Sequence, residues 1–412
     1  MTKLIKIAVR NLARYRRRTL LTASLIAIGV IAVVVFGAAA GAFKGLMVGQ
    51  ITDAMLGHLQ IHQRGYVASI DNLPLTRMLM PRQVAAIEDQ LRAQPDVEAY
   101  SRRLKFGAMF SNYTETTAIR LNGVYPDEER RTVPLLESRI QAGVVDLEPG
   151  QIIIPDLLAN GMQVKVGDTI VVIATNRDGS VNAAQLLVSG VVEGVTGPSG
   201  RDGYVHIQDA VSLLRLDAPE ISEIAVRLRS VDRLDSATTR IRTALAQVQT
   251  AGDIGPVEVH TWEALSPFYN VVVLMDVLVI SATAGLVAIV LISVMNVMLM
   301  SVYERVKEIG TIAAMGTMPR TILSMFVLEG VALGALGILI GNAVAVVAIL
   351  LIDVIGPTFN FGRQTGLVLS PDVDLRRMLV VSAIVAVVAV VGTVQPAFKA
   401  SRMDPVEALR HG

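Results

Sequence analysis

Four uncharged runs dominate this chain, at residues 19–43, 277–303, 330–352 and 378–398. Crossing the hydrocarbon core of a bilayer takes roughly 20 apolar residues of helix, so each run predicts a membrane span. In lipid every backbone amide must be satisfied within its own segment, which leaves helix as the form for isolated runs. The first run exceeds the roughly 7–15 apolar residues of a cleaved signal. It also lacks a small-x-small site followed by a polar start, so it is read as a retained span. A chain that is 52% hydrophobic is too apolar for an ordinary soluble enzyme of 412 residues.

Orientation follows from the distribution of basic residues. Lys3, Lys6, Arg10, Arg14, Arg16, Arg17 and Arg18 precede the first span with no acid among them, and Lys399, Arg402 and Arg410 follow the last. Both ends are therefore expected in the cytoplasm, and the long segment 44–270 on the outer side. The predicted division is an amphipathic elbow helix at 1–18, spans at 19–43, 271–303, 321–352 and 378–398, an inner connection at 304–320, an outer loop at 353–377 and an inner tail at 399–412. A net charge of +1 gives no basic field to attract phosphates, which excludes a nucleic-acid partner. With no cysteine there can be neither disulfides nor thiolate metal sites.

The outer segment alternates short strand patterns with helical ones, as a mixed α/β domain does. Residues 81–93 and 232–248 read as amphipathic helices, the first with Pro81 at its start. Strands are expected near 98–110, 117–124, 152–154, 164–174, 186–192, 204–207, 223–228 and 257–260. Leu59 and Ile61 alternate with His58, Gln60 and His62, which predicts a strand with one wet face. Trp262, Phe268 and Tyr269 stand before the second span, where an aromatic interface belt is expected.

One polar stretch sits between two spans. Residues 302–341 carry the charged string Glu304-Arg305-Val306-Lys307-Glu308, pass through Gly310 and Gly316, and enter a span containing Gly330, Gly334, Gly337 and Gly341. A charged helix held between spans is placed to touch something outside the membrane. The glycines, spaced 4-3-4, share one helix face and permit close approach of another helix. Packing within the chain and contact with a second subunit both remain open for that face.

The string ER-x-KEIG-x-x-x-AMG, followed by a span with an early Glu329, resembles the core of FtsX-like and MacB-like permeases. The ending at residues 396–410 resembles the other signature of that family, P-A-x-x-A-x-R-x-D-P-V-E-A-L-R. Ala313 departs from the Lys or Arg that usually precedes the A-[LM]-G triplet. The resemblance implies four transmembrane helices with a large extracytoplasmic α/β domain of the MacB-like periplasmic core type, carrying an insertion near 113–203. It implies a cytoplasmic coupling helix in which Glu304, Arg305, Lys307, Glu308, Ile309, Gly310, Ala314, Met315 and Gly316 meet a separate ATPase dimer. It further implies a second permease subunit, identical or different, and location in the bacterial inner membrane. Length, one large outer domain and the GHLQIH string at residues 57–62 resemble the lipoprotein-releasing subgroup, which acts on lipid-anchored cargo with a periplasmic carrier. Division-type members that activate a cell-wall hydrolase, and efflux members, are the alternatives.

No Gly-Lys dipeptide occurs, so the chain has no GxxxxGK[ST] phosphate loop. ATP and its Mg²⁺ are therefore expected on the partner, with no cofactor or metal in this chain. No GxSxG or HExxH string is present. His58 and His62 lack a third ligand at fixed spacing beside Asp53 or Asp71, and Glu128-Glu129 reads as a solvated loop. Asn296 predicts an interhelical hydrogen bond rather than an ion relay, since Asp276 and Glu329 stand near span ends.

Overall fold

The computed structural model describes residues 16–194, 201–250, 252, 255–361 and 364–403. Residues 1–15 of the expected elbow helix and residues 404–410 of the closing signature lie outside them. The chain divides into two compact units, one drawn from Met1–Leu46, Val271–Phe359 and Gly366–Gly412, the other from Met47–Asn270 with Asn360–Thr365.

In the membrane unit four helices are long and apolar enough to span a bilayer, and they include the four runs read from the sequence. They are Arg16–Ile51, Tyr269–Glu304, Pro319–Ile355 and Leu375–Ser401. At about 1.5 Å per residue, the longer ones outreach a hydrocarbon core of about 30 Å. Ile26, Val30, Val34, Val290, Val294, Met298, Phe326, Leu333 and Val385 form a common core between them. Pro396 lies inside the last helix.

In the outer unit, ten strands among the described residues form one sheet. They are β1 (Leu59–Gln63), β2 (Val97–Ser111), β3 (Thr116–Val124), β4 (Ile140–Gly143), β5 (Gln151–Pro155), β6 (Thr169–Thr175), β7 (Val181–Val192), β8 (Asp202–His206), β9 (Glu223–Leu228) and β10 (Val257–Thr261). The order is β10-β1-β9-β2-β3-β8-β5-β7-β4, with β6 bridging β2 and β7. Among the described pairs, β3–β8 and β5–β7 are parallel and the others antiparallel. The helices Pro81–Arg92 and Leu234–Thr250 bury Val84, Ile87 and Leu91, and Ala237, Ile241 and Leu245. Val133, Leu136, Leu147 and Ile153 of the expected insertion cluster with Val124 and with Tyr204 just beyond it, and β4, β5, β6 and β7 join the common sheet.

Three readings of this unit are corrected. Strand β1 has no wet face, because it runs between β10 and β9, and His58, Gln60 and His62 are all buried. Trp262 is buried where β10 ends, with its backbone bonded to His58 and its ring edge-on to Tyr269, so it belongs to the domain's interior rather than an interface belt. Strand β6 starts at Thr169 rather than at 164, after a turn at Gly167, whose φ of +96° favours glycine.

Candidate functional site

The second span ends at Glu304, and Arg305, at φ −112° and ψ 19°, breaks the helix before it resumes as Val306–Ala314. The short helix closes at Gly316, whose φ of +88° is the left-handed turn typical of a helix end. There the N–H of Gly316 reaches the Ala313 carbonyl and that of Thr317 the Ile312 carbonyl. Pro319 then opens the third span. The product is a short helix and a tight turn between two spans.

This element has two faces. Ile309 and Gly310 are buried, while Glu304, Lys307, Glu308, Ala314, Met315 and Gly316 are exposed. Met315 is 74% exposed and Met318, in the same turn, 72%. Two thioethers on a turn flanked by charges make an adaptable surface, since methionine is flexible and polarisable. Met318 is not in the set expected from the sequence, although its place two residues past the terminating glycine could have marked it. Arg305 is a correction. The sequence places it among the docking charges, but it is 5% exposed, and its guanidinium donates to the Glu329 carboxylate at 3.2 Å. Helix breakage at Arg305 turns its side chain inward, where it fixes the short helix to the third span. Nearby, Lys399 donates to the Tyr303 hydroxyl at 2.6 Å, tying the last helix to the end of the second.

The four glycines of the third span divide their work. A Cβ on Gly330 or Gly334 would run into Thr393 or Ala389 of the last helix. One on Gly337 or Gly341 would run into Ile26 or Val30 of the first, at 2.6 and 2.7 Å. Within the chain, then, both halves of the glycine face are filled by neighbouring spans. Asn296 is exposed on the second span and makes no hydrogen bond among the described residues of this chain. Asp276 is held by Lys44 at 2.7 Å, and the Arg377 guanidinium donates to the Gly37 carbonyl against Gly41.

Charged groups of the outer unit also lie elsewhere than expected. Glu128 and Glu129 belong to the helix Pro126–Thr132, not to a solvated loop. Glu128 pairs with Arg102, while Glu129 is buried and pairs with Arg103 at 2.8 Å. Arg103 also meets Glu223 at 3.0 Å, and Lys105 meets that carboxylate at 2.9 Å. Burial alone would push the Glu223 carboxyl up, but Lys105, His62 and Arg103 hold it well below the usual carboxylate range. His58 accepts from the Leu228 N–H at 2.8 Å and faces Asp53 at 3.6 Å, with burial lowering its basicity. His62 stacks on Tyr66, and Asp71 lines a different groove. Among the described residues no group of three or more His, Cys, Asp or Glu could hold a metal ion.

An apolar four-span unit with a broken, partly exposed helix between its second and third spans, continuous in sequence with a large mixed-sheet domain, is the layout of a multispan membrane protein with an outer domain. Residues 19–244 match the MacB-like periplasmic core domain and residues 280–405 the FtsX-like permease C-terminal domain. The chain belongs to that family of ABC transporter permeases. It is 25% identical to the lipoprotein-releasing system transmembrane protein LolC of Neisseria meningitidis, across 95% of this chain and 94% of that protein. It is 35% identical to the macrolide export ATP-binding/permease protein MacB of Syntrophobacter fumaroxidans, over 29% of this chain and 15% of that one. Among solved structures, the periplasmic region of MacB from Actinobacillus actinomycetemcomitans matches 50% of this chain at 12% identity, with a TM-score of 0.35, covering 88% of that chain.

Proposed function

We propose that the chain is the membrane subunit of an ATP-driven transporter that releases lipid-anchored proteins from the inner membrane. In this reading a cytoplasmic ATPase dimer binds ATP and Mg²⁺ and closes against the turn at Glu304–Gly316 and the C-terminal tail. A second permease subunit, identical or different, completes the assembly. The spans carry the displacement to the outer domain as rigid-body motion, and that domain works in the periplasm with both termini in the cytoplasm. The observation that carries the cargo class is similarity to a LolC protein along nearly the whole of both chains. Force input is supported by the exposed turn, where Lys307, Glu308, Met315 and Met318 stand on a helix held from behind by Arg305 and Glu329. Higher identity to MacB over a shorter stretch favours export of a small molecule as the second reading.

The test is co-purification. The protein is tagged at its C-terminus, extracted in mild detergent with and without nucleotide, and its companions identified. A P-loop ATPase together with a lipid-anchored protein supports the proposal. A cell-wall hydrolase in place of the cargo would replace transport with regulation. Absence of any ATPase under every nucleotide condition would refute it.

A further inference from the structure

The first span does not stop as an ordinary helix. Arg16–Ile51 continues into a π turn, Thr52–Leu56, closed by the Gly57 N–H on the Thr52 carbonyl at 2.8 Å. The last carbonyls of a helix have no partner within it. Here three consecutive ones, which lie in the outer unit, are taken by side chains of that same unit. Arg139 donates to Ala54 O at 3.0 Å, Arg103 to Met55 O at 2.7 Å and Gln60 to Leu56 O at 2.8 Å. Both arginines are buried, at 5% and 2% exposure. They come from separate parts of the domain. Arg103 lies on β2, whereas Arg139 precedes β4 within the region 113–203 and also donates to the Glu193 carbonyl.

A buried cation is costly unless fully paired. Arg103 is paired by Glu129 and Glu223, and Ser101 donates to Glu129 at 2.6 Å. Packing alone would have been served by apolar side chains of similar volume. Guanidinium groups add direction, because a planar fork bonds only in one geometry, and a positive charge favours the negative end of a helix.

From this geometry we infer that Arg103 and Arg139 form a socket gripping the end of the first helix, so that a displacement of that helix is delivered at once to the β2 side of the domain and to the 113–203 region. They are positioning residues. The inference rests on the transport reading for its purpose, but its geometry can be tested without any partner.

The natural absence of cysteine permits clean labelling. Spin labels are placed at Gln50→Cys and Val144→Cys in the full-length protein in lipid nanodiscs, and the distance distribution is measured. The socket requires one narrow distribution, and Arg139→Met should lose it while the melting temperature of the outer domain stays near that of the parent. Should Arg139→Met fail to fold, Arg139→Lys keeps the charge but not the fork, and must also broaden the distribution. An unchanged narrow distribution in the folded variant overturns the inference. Absence of any co-purified ATPase would count against the transport reading without touching this distance, which a rigid socket holds constant with and without nucleotide. The arginine dependence would then still stand for the socket.

Discussion

The short helix between the second and third spans and the end of the first helix are both rich in charge, yet they use it in opposite ways. In the first, Lys307 and Glu308 are exposed and only Arg305 turns inward, onto the Glu329 carboxylate. In the second, Arg103, Arg139, Glu129 and Glu223 are all buried and bonded to one another or to backbone. An exposed pair contributes little to stability, with a median of about 0–1 kcal/mol. A buried pair broken on one side is costly. The comparison teaches that the outer network is costly to break on one side, while the charges of the short helix face outward, where a partner can meet them.

The largest effect should come from breaking the buried side. Glu129→Ala leaves Arg103 half-paired, and is expected to destabilise the outer domain by about 3–5 kcal/mol, seen as a lower denaturant midpoint. A loss below about 1 kcal/mol, the scale of an exposed pair, would erase the contrast between the two regions. Next, Gly337→Leu drives a side chain into Ile26. Overpacking of this kind costs about 1–3 kcal/mol, and should appear as reduced recovery of folded protein from membranes, with Gly285→Leu, which meets nothing within 4 Å in the chain, as the mild control.

A pH-dependent contribution of similar size sharpens the picture. Burial pushes the Asp202 carboxyl up to about 6, against Lys105 and Arg120. Because the folded state holds that proton more tightly than the unfolded one, the contribution of Asp202 falls as pH rises from about 4 to about 6 and stays low above that. Asp202→Asn should therefore raise the melting temperature more at pH 7.5 than at pH 4.5, by a difference of about 1–3 kcal/mol in free energy. Equal gains at both pH values would remove the assignment. The smallest effect on stability belongs to the exposed side, where Glu304→Lys with Glu308→Lys should change stability by under about 0.5 kcal/mol yet separate ATP hydrolysis from cargo release in the reconstituted complex.

The sequence made the membrane unit legible because lipid imposes a harsh rule. A span must be apolar along its whole length, so runs such as 330–352 stand out, and a charged string between two of them has to lie outside the lipid. The same rule could not say what the glycine face meets, since a second subunit and a second span ask for the same small residues. Only the packing of Gly330 and Gly334 on the last helix and of Gly337 and Gly341 on the first distinguishes these within the chain. The outer unit was legible in pattern, with strands such as Glu223–Leu228 visible from β-branched and aliphatic content. Its buried charge was not. Arg103 and Glu129 sit in polar strings, 101–103 and 127–131, that read as solvent-facing, and the partners of Arg103 lie 26 and 120 positions away in sequence. His58 and His62 misled for the same reason, because nothing local announces that β1 is flanked by β9 and β10. Arg305 was read by charge type alone, when the break it makes between two helices already offered a way to turn it inward.

The central claim is that the turn at 304–318 receives force from an ATPase, and the absence of native cysteine makes it directly testable. Single cysteines at Met315, exposed, and at Ile309, buried, would each carry a short photoactivatable crosslinker in membranes. The account predicts that Met315→Cys captures a P-loop ATPase in a nucleotide-dependent manner and that Ile309→Cys does not. No capture from position 315, or equal capture from both positions, would contradict it.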